Sequence, residues 1–332
     1  MLAPADTAGV HHRPVVEETT ITQRVFITGG CGFIGSNLIR RLLEGDVSVT
    51  VWDSLVSGRT EYLDGLGVDI VRGDIEDTAR LTESIADAGT DVVVHLAASG
   101  NVVDSVADPA SNFRSNAMGT FNVLDATRVA GVRRLVFSST GGALIGNAVP
   151  PVTEESVPKP ISPYGASKLA GEAYCSAFAH SYDMNTVALR FANIYGPFSG
   201  HKKGAITRFF QALHNGEPLE IYGDGTASRD FLYVDDLCDG IHRAIEADLS
   251  GATVAHVASG IETSVAELAD ACRRAAGLPE HPIIHLPPRP GEVDRNFASY
   301  EFAERRLGYR PRVPLDEGLS RTWQWLLEHE LA

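Results

Sequence analysis

Residues 137–146 read FSSTGGALIG, and Ser139 and Thr140 place two hydroxyl groups where an apolar run ends. A hydroxyl does little chemistry at neutral pH unless an acid or base stands beside it. The segment SPYGASK, residues 162–168, supplies a candidate pair in Tyr164 and Lys168. Four residues apart, they share one face of a helix that Pro163 is suited to start. An unperturbed tyrosine, with a pKa of about 10, is a poor base at neutral pH. A fixed ammonium nearby favours the phenolate, which makes Tyr164 a candidate proton shuttle. The Tyr-x-x-x-Lys spacing also arises by chance on helix surfaces, so its weight depends on its surroundings.

ITGGCGFIG, residues 27–35, contains Gly30-x-Gly32-x-x-Gly35 and also reads as Gly29-x-x-Gly32-x-x-Gly35. It follows the apolar run RVFIT and opens the amphipathic pattern FIGSNLIRRLLEG. In that setting glycines permit a tight turn and let a pyrophosphate approach the positive end of a helix. About 20 residues further on, VTVWD ends in Asp53, placed to accept from both hydroxyls of a ribose. A carboxylate there repels a 2′-phosphate, so the pattern selects NAD over NADP, with Arg59 the nearby cation that softens the choice. Asp74, in VRGDIED, ends a third strand at the same sheet edge; it either caps the adenine amino group or serves a simple turn. A positive nicotinamide then joins Lys168 in favouring the Tyr164 phenolate.

These groups need a scaffold. From Gln23 onward short apolar runs alternate with helical patterns, ending in a long helix near 109–131 and then RRLVFSS. Strands that are apolar throughout imply burial on both faces, hence a parallel sheet between helix layers. The βα alternation predicts right-handed crossovers and a doubly wound α/β fold of Rossmann type. After residue 190, Gly and Pro punctuate shorter elements such as YGPFSGHKKG and YGDGTASRD. The expected organisation is a flexible leader at 1–22, a mainly NAD-binding domain at 23–190, and at 191–332 a smaller α/β substrate-binding lobe with segments returning to the main sheet.

The chain has 332 residues, 44% of them apolar, enough for a sizeable core. Lys plus Arg 28 against Asp plus Glu 43 gives a net charge of −15, which argues against nucleic acid or an anionic membrane as partner. Cys31, Cys175, Cys238 and Cys272 are far apart and His11-His12 is too short a tract, so neither a metal nor a disulfide framework is expected. No stretch approaches the ~18 to 20 apolar residues of a membrane span, and the N-terminus lacks the order of a secretory signal. A cytoplasmic protein with free thiols is expected.

The chain resembles the extended short-chain dehydrogenase/reductase family, in its nucleotide-sugar epimerase and dehydratase branch, over nearly all of residues 24–330. The resemblance is carried by TGGCGFIG, VWDSLVSG, GDI at 73–75, HLAA at 95–98, NAMGTFNVL, SST, PYGASK, LRFANIYGP, GDGTASRDFLYVDD and RPGEV. It implies a triad in which Thr140 hydrogen-bonds a sugar hydroxyl, Tyr164 removes its proton, and Lys168 holds the ribose hydroxyls of NAD while lowering the tyrosine pKa. It further implies a cofactor wall of Gly29, Gly32, Phe33, Ile34, Gly35, Asp53, Ser57, Gly58, Asp74, Ile75, Leu96, Ala97, Ala98 and Ser138, supported by Asn116. On the nucleotide-sugar side it implies Ser99, Asn193, Arg229, Arg289 and Glu292, the guanidinium groups suiting phosphate oxygens. A homodimer is implied through the helices near 109–131 and from Pro163 to His180, whose apolar stripes include Met118, Phe121, Leu124, Leu169 and Phe178; these equally suit a core.

Relatives of this kind that eliminate water from a sugar carry an Asp-Glu pair directly after the threonine, and decarboxylating ones carry a Glu there. Here the positions are Gly141, Gly142, Ala143, Leu144 and Ile145, none able to carry a proton. The resemblance therefore implies epimerisation at C4 of a nucleotide-diphosphate sugar, most commonly a UDP-sugar, with NAD as a bound prosthetic group. A reductase or dehydrogenase with net redox, and a non-catalytic dinucleotide sensor, are the competing expectations. Ile145, in place of the usual aromatic, and Ser99-Gly100-Asn101 depart from the pattern and are expected to touch the sugar pocket. His201, Lys202 and Lys203 are expected either to be solvated or to contact a charged sugar.

Overall fold

A computed structural model describes residues 23–288 and 294–331, so the leader expected at 1–22 and the expected site residues Arg289 and Glu292 lie outside the described residues. The first half alternates β1 (Gln23–Thr28), α1 (Phe33–Leu42), β2 (Val47–Asp53), β3 (Asp69–Arg72), α2 (Thr78–Asp87), β4 (Val92–His95), α3 (Val102–Ala107), α4 (Pro109–Asn112), α5 (Gly119–Val129) and β5 (Arg134–Thr140). The long helix expected near 109–131 is interrupted by a π-helical stretch, Phe113–Met118, between α4 and α5. Then come α6 (Gly142–Ile145), α7 (Pro163–Tyr182), β6 (Asn185–Phe191), β7 (Asn193–Tyr195), α8 (Ala205–Asn215), β8 (Leu219–Tyr222), β9 (Ser228–Arg229), β10 (Phe231–Tyr233) and α9 (Val234–Glu246). The chain closes with β11 (Ala252–Val257), β12 (Thr263–Ser264), α10 (Val265–Ala275), β13 (Ile283–Leu286), β14 (Arg295–Asn296), α11 (Glu301–Leu307) and α12 (Leu315–His329).

Seven parallel strands form one sheet in the order β11-β6-β5-β4-β1-β2-β3. The architecture is α/β and Rossmann-like. Alternate residues of one strand enter opposite cores: Val25 and Ile27 pack with Leu38 and Ile39, whereas Phe26 packs with Trp52, Leu81 and Leu124. That two-sided burial is why the strands are apolar throughout, each fully buried large side chain contributing about 1.5–3 kcal/mol. A third core joins α8, α10 and α12 through Phe209, Phe210, Leu268 and Leu319.

Strand order reverses beside β1, between β1 and β4, and a crevice opens there at the carboxyl ends of the strands. α7 crosses β5 closely at Gly171, where a Cβ would lie 2.5 Å from the Phe137 ring. The helix begins as its sequence suggests, with Pro163 in the first turn and the Ser162 hydroxyl accepting from the Gly165 amide.

Candidate active site

β5 and α7 bring Ser138, Thr140, Tyr164 and Lys168 to one wall of a continuous cavity of about 2040 Å³. Side chains alternate along a strand. Ser138 and Thr140 therefore share the cavity face, while Ser139 Oγ donates to Glu172 Oε1 at 2.6 Å inside the protein. Lys168 Nζ donates to the Ser138 carbonyl at 2.7 Å and stands 5.9 Å from the centre of the Tyr164 ring. The Tyr164 amide donates to Ser105 Oγ, 3.3 Å away, so α3 helps to hold the start of α7.

Burial sets the electrostatics of this wall. Burial pushes the Tyr164 phenol up to about 12 instead of down. Burial also lowers the Lys168 ammonium to about 7. Desolvation thus opposes the phenolate in the polypeptide alone. The opposing charge has to come in part from the positive nicotinamide.

The dinucleotide cradle is built by close backbone approach. A Cβ on Gly29, whose φ is +75°, would fall 2.7 Å from the Ala97 amide, and one on Gly35 would fall 2.5 Å from the Gly30 carbonyl oxygen. Gly32 caps α1 without a side chain, which leaves the helix N-terminus open to an anion. Asp53, ending β2, accepts from the amides of Cys31 at 3.0 Å and Leu55 at 2.8 Å, and a Cβ on Gly58 would meet its carboxylate. Arg59 instead stacks over Tyr62, 5.6 Å from the ring centre. Phe33, Ile34, Ser57, Asp74, Ile75, Leu96, Ala97 and Ala98 line the same cavity. Asp74 Oδ1 also accepts from the Glu76 amide at 2.9 Å, so it serves a turn as well. These residues fit NAD: an open helix end for the pyrophosphate and a carboxylate at the end of β2 for the ribose.

Asn116 lies behind the cavity wall. Its Oδ1 accepts from the Ser99 amide at 2.8 Å and its Nδ2 donates to the Ser99 carbonyl at 3.0 Å, fixing the wall at Ser99. Asn193 and Arg229 line the cavity as well. Asn193 gives both its amide and its Nδ2 to the Asp230 carbonyl, at 2.9 and 3.1 Å. Arg229 Nη1 donates to its neighbour's carbonyl, that of Ser228, at 2.8 Å. His201, Lys202 and Lys203 also line the cavity, but Lys203 pairs with Asp104 of α3 at 3.6 Å. Phe198 anchors this loop, its ring 4.8 Å from that of Tyr62 and 4.9 Å from that of Trp325. Ile145 does not touch the pocket as expected: it is fully buried with Leu144, Val152, Ala258 and Ala298.

Three buried groups at this site, Glu172, His256 and Asn296, lie outside the motifs, and Arg190 lies within LRFANIYGP with no role read from it. Glu172 and Arg190 form a buried ion pair beneath Ser139. The signal for Arg190 and His256 is an ionisable residue in the apolar half of a strand, Arg190 in NTVALRF and His256 in ATVAHV. Among the described residues no His, Cys, Asp or Glu cluster could hold a metal ion, and no helix is long and apolar enough to cross a membrane.

Comparison with known proteins agrees with this geometry. The NAD dependent epimerase/dehydratase family matches residues 25–257. A UDP-glucose 4-epimerase of Mycolicibacterium smegmatis is 38% identical over 306 residues, covering 90% of this chain and 97% of that protein. The crystal structure of a UDP-glucose 4-epimerase of Thermotoga maritima with UDP-glucose superposes with a TM-score of 0.87 at 34% identity, covering 92% of this chain and 99% of that one. A dTDP-glucose 4,6-dehydratase of Streptomyces venezuelae, solved with NAD bound, gives 0.86 at 33% identity, covering 92% and 97%.

Proposed function

Since the chain belongs to the NAD-dependent epimerase/dehydratase family and uses NAD, we propose that it inverts C4 of a UDP-sugar through a transient 4-keto form. The observation that carries this reading is the wall next to Thr140. Gly141, Gly142 and Ala143 line the cavity there and offer no ionisable side chain. Elimination or decarboxylation needs a further acid or base at the sugar, whereas inversion at a carbinol needs only one proton shuttle.

Bound NAD supplies reversible acceptance of a hydride, so no net redox occurs. Thr140 orients the C4 hydroxyl. Tyr164 takes its proton and later returns it to the oxygen of the turned-over keto sugar. Lys168, anchored on Ser138, places positive charge beside the phenol and reaches toward the ribose. Arg229 and Asn193, which also line the cavity, hold the diphosphate.

A homodimer through α5 and α7 is supported by exposed aromatics at Phe121, Tyr174 and Tyr182 and by exposed Phe113 and Met118. Leu124 is fully buried and belongs to the core instead. All four cysteines are buried free thiols, in keeping with a reducing cytoplasm. Tyr164→Phe tests the mechanism: turnover is expected to fall by at least ~10²-fold with NAD retained. Normal turnover in that variant contradicts it.

A further inference from the structure

Behind the Gly141–Gly142 turn the cavity ends on two buried polar side chains. His256, on β11, is fully buried and Asn296, on β14, is 8% exposed, yet both border the cavity. A Cβ on Gly141 would come 3.3 Å from His256 Nδ1, and one on Gly142 would come 3.2 Å from Asn296 Oδ1. The two side chains therefore begin where the missing glycine side chains would end. Neither ring nitrogen of His256 has a hydrogen-bond partner, nor has Asn296 Nδ2. Arg190 stands beside His256 in register on β6, and its Nη1 is also without an acceptor.

Leaving such groups unpaired is costly, and buried polar groups are commonly satisfied by ordered water. The donor and acceptor count selects the ligand. A neutral imidazole presents one donor and one acceptor, while the asparagine Nδ2 and the guanidinium only donate. Burial holds His256 neutral, down at about 3. The Thr153 carbonyl lies near enough to favour the protonated ring without hydrogen-bond geometry, and it could satisfy only the ring N–H. A nitrogen lone pair would remain without a donor. An anion cannot supply that donor, and a cation cannot accept from the N–H groups. Water does both.

We propose that this end of the cavity is a hydration site, with one ordered water held between His256 and Asn296, and that His256 through it positions the Gly141–Gly142 turn and hence Thr140. From the strand side the Gly141 amide donates to the Phe191 carbonyl at 3.0 Å. The catalytic consequence, though not the water, rests on the role given to Thr140 above.

The test has two arms. A crystal structure of the NAD-loaded protein should show a water within ~3.2 Å of a His256 ring nitrogen and of Asn296 Nδ2. A dry niche overturns the proposal. In the second arm, His256→Leu should lower kcat by about tenfold or more, with KM and NAD content little changed, because a displaced hydroxyl misaligns the reacting group. His256→Gln, which keeps a donor and an acceptor, should recover most of the loss. A leucine variant as active as the native protein overturns the positioning role, as does a glutamine variant no better than leucine. If the native protein turns over no UDP-sugar, the proposed function fails and the water alone decides this inference.

Discussion

Glu172 grips Arg190 with both carboxylate oxygens, Arg190 Nε lying 2.9 Å from Oε1 and Nη2 2.8 Å from Oε2. Oε1 also accepts from Ser139 Oγ. Glu172 lies one helical turn beyond Lys168 on α7, so a single helix anchors β5 twice, at Ser138 through the lysine and at Ser139 through the glutamate. The clamp sets the helix bearing Tyr164 against the strand ending in Thr140.

Glu172→Ala leaves the Arg190 charge buried and unpaired, both side chains being about 5% exposed. Its expected cost is about 3–5 kcal/mol of unfolding free energy, measured by denaturant titration of the NAD-free protein. A loss below about 1 kcal/mol would show that the pair carries little of the register.

Gly29→Ala places a Cβ on backbone at +75° φ and 2.7 Å from the Ala97 amide. The chain should still fold but lose NAD on gel filtration, since the β1 turn and the β4 end can no longer approach. Unchanged cofactor content, read from the absorbance of the released nucleotide, contradicts that account of the cradle.

His95 and His256 are both buried and neutral, each pushed down by burial to about 3 from 6.5. The unfolded chain takes up these protons below about 6.5, the folded chain only near 3. Stability present above pH 6.5 is therefore lost as pH falls toward 3. His256→Gln removes one of the two sites, so unfolding free energy should vary less steeply between pH 6.5 and 4, by up to about 1.4 kcal/mol per pH unit. Parallel curves for variant and native protein would show that His256 does not titrate in this way.

Replacing Phe121 and Tyr174, whose ring centres are 5.3 Å apart on the exposed face of α5 and α7, by aspartate should yield a monomer in light scattering. A native protein that is already monomeric contradicts the dimer.

Local patterns made much of this legible. Gly29, Gly32, Gly35 and Asp53 could be placed because the turn, the helix start and the strand end lie within one βαβ unit, and Tyr164 and Lys168 because helical spacing fixes their common face. The Glu172–Arg190 pair and the His256–Asn296 niche were not legible, since they join segments 18 and 40 residues apart in sequence (190 − 172 and 296 − 256) whose meeting is set by strand order. The resemblance puts Ile145 at the pocket, in the place of the usual aromatic, but the short α6 turns it into the core. The burial that raises the Tyr164 phenol belongs to the tertiary structure, while the nearby lysine can be read from the sequence.

The central claim is inversion at C4 without net redox, and one measurement addresses it most directly. The purified protein, with no cofactor added, is incubated separately with UDP-glucose, UDP-GlcNAc and UDP-glucuronate, and the C4 epimers are resolved by NMR. One pair should interconvert to equilibrium with no accumulation of NADH. A 4-keto-6-deoxy product, or conversion that requires added NADH in stoichiometric amount, would contradict the assignment.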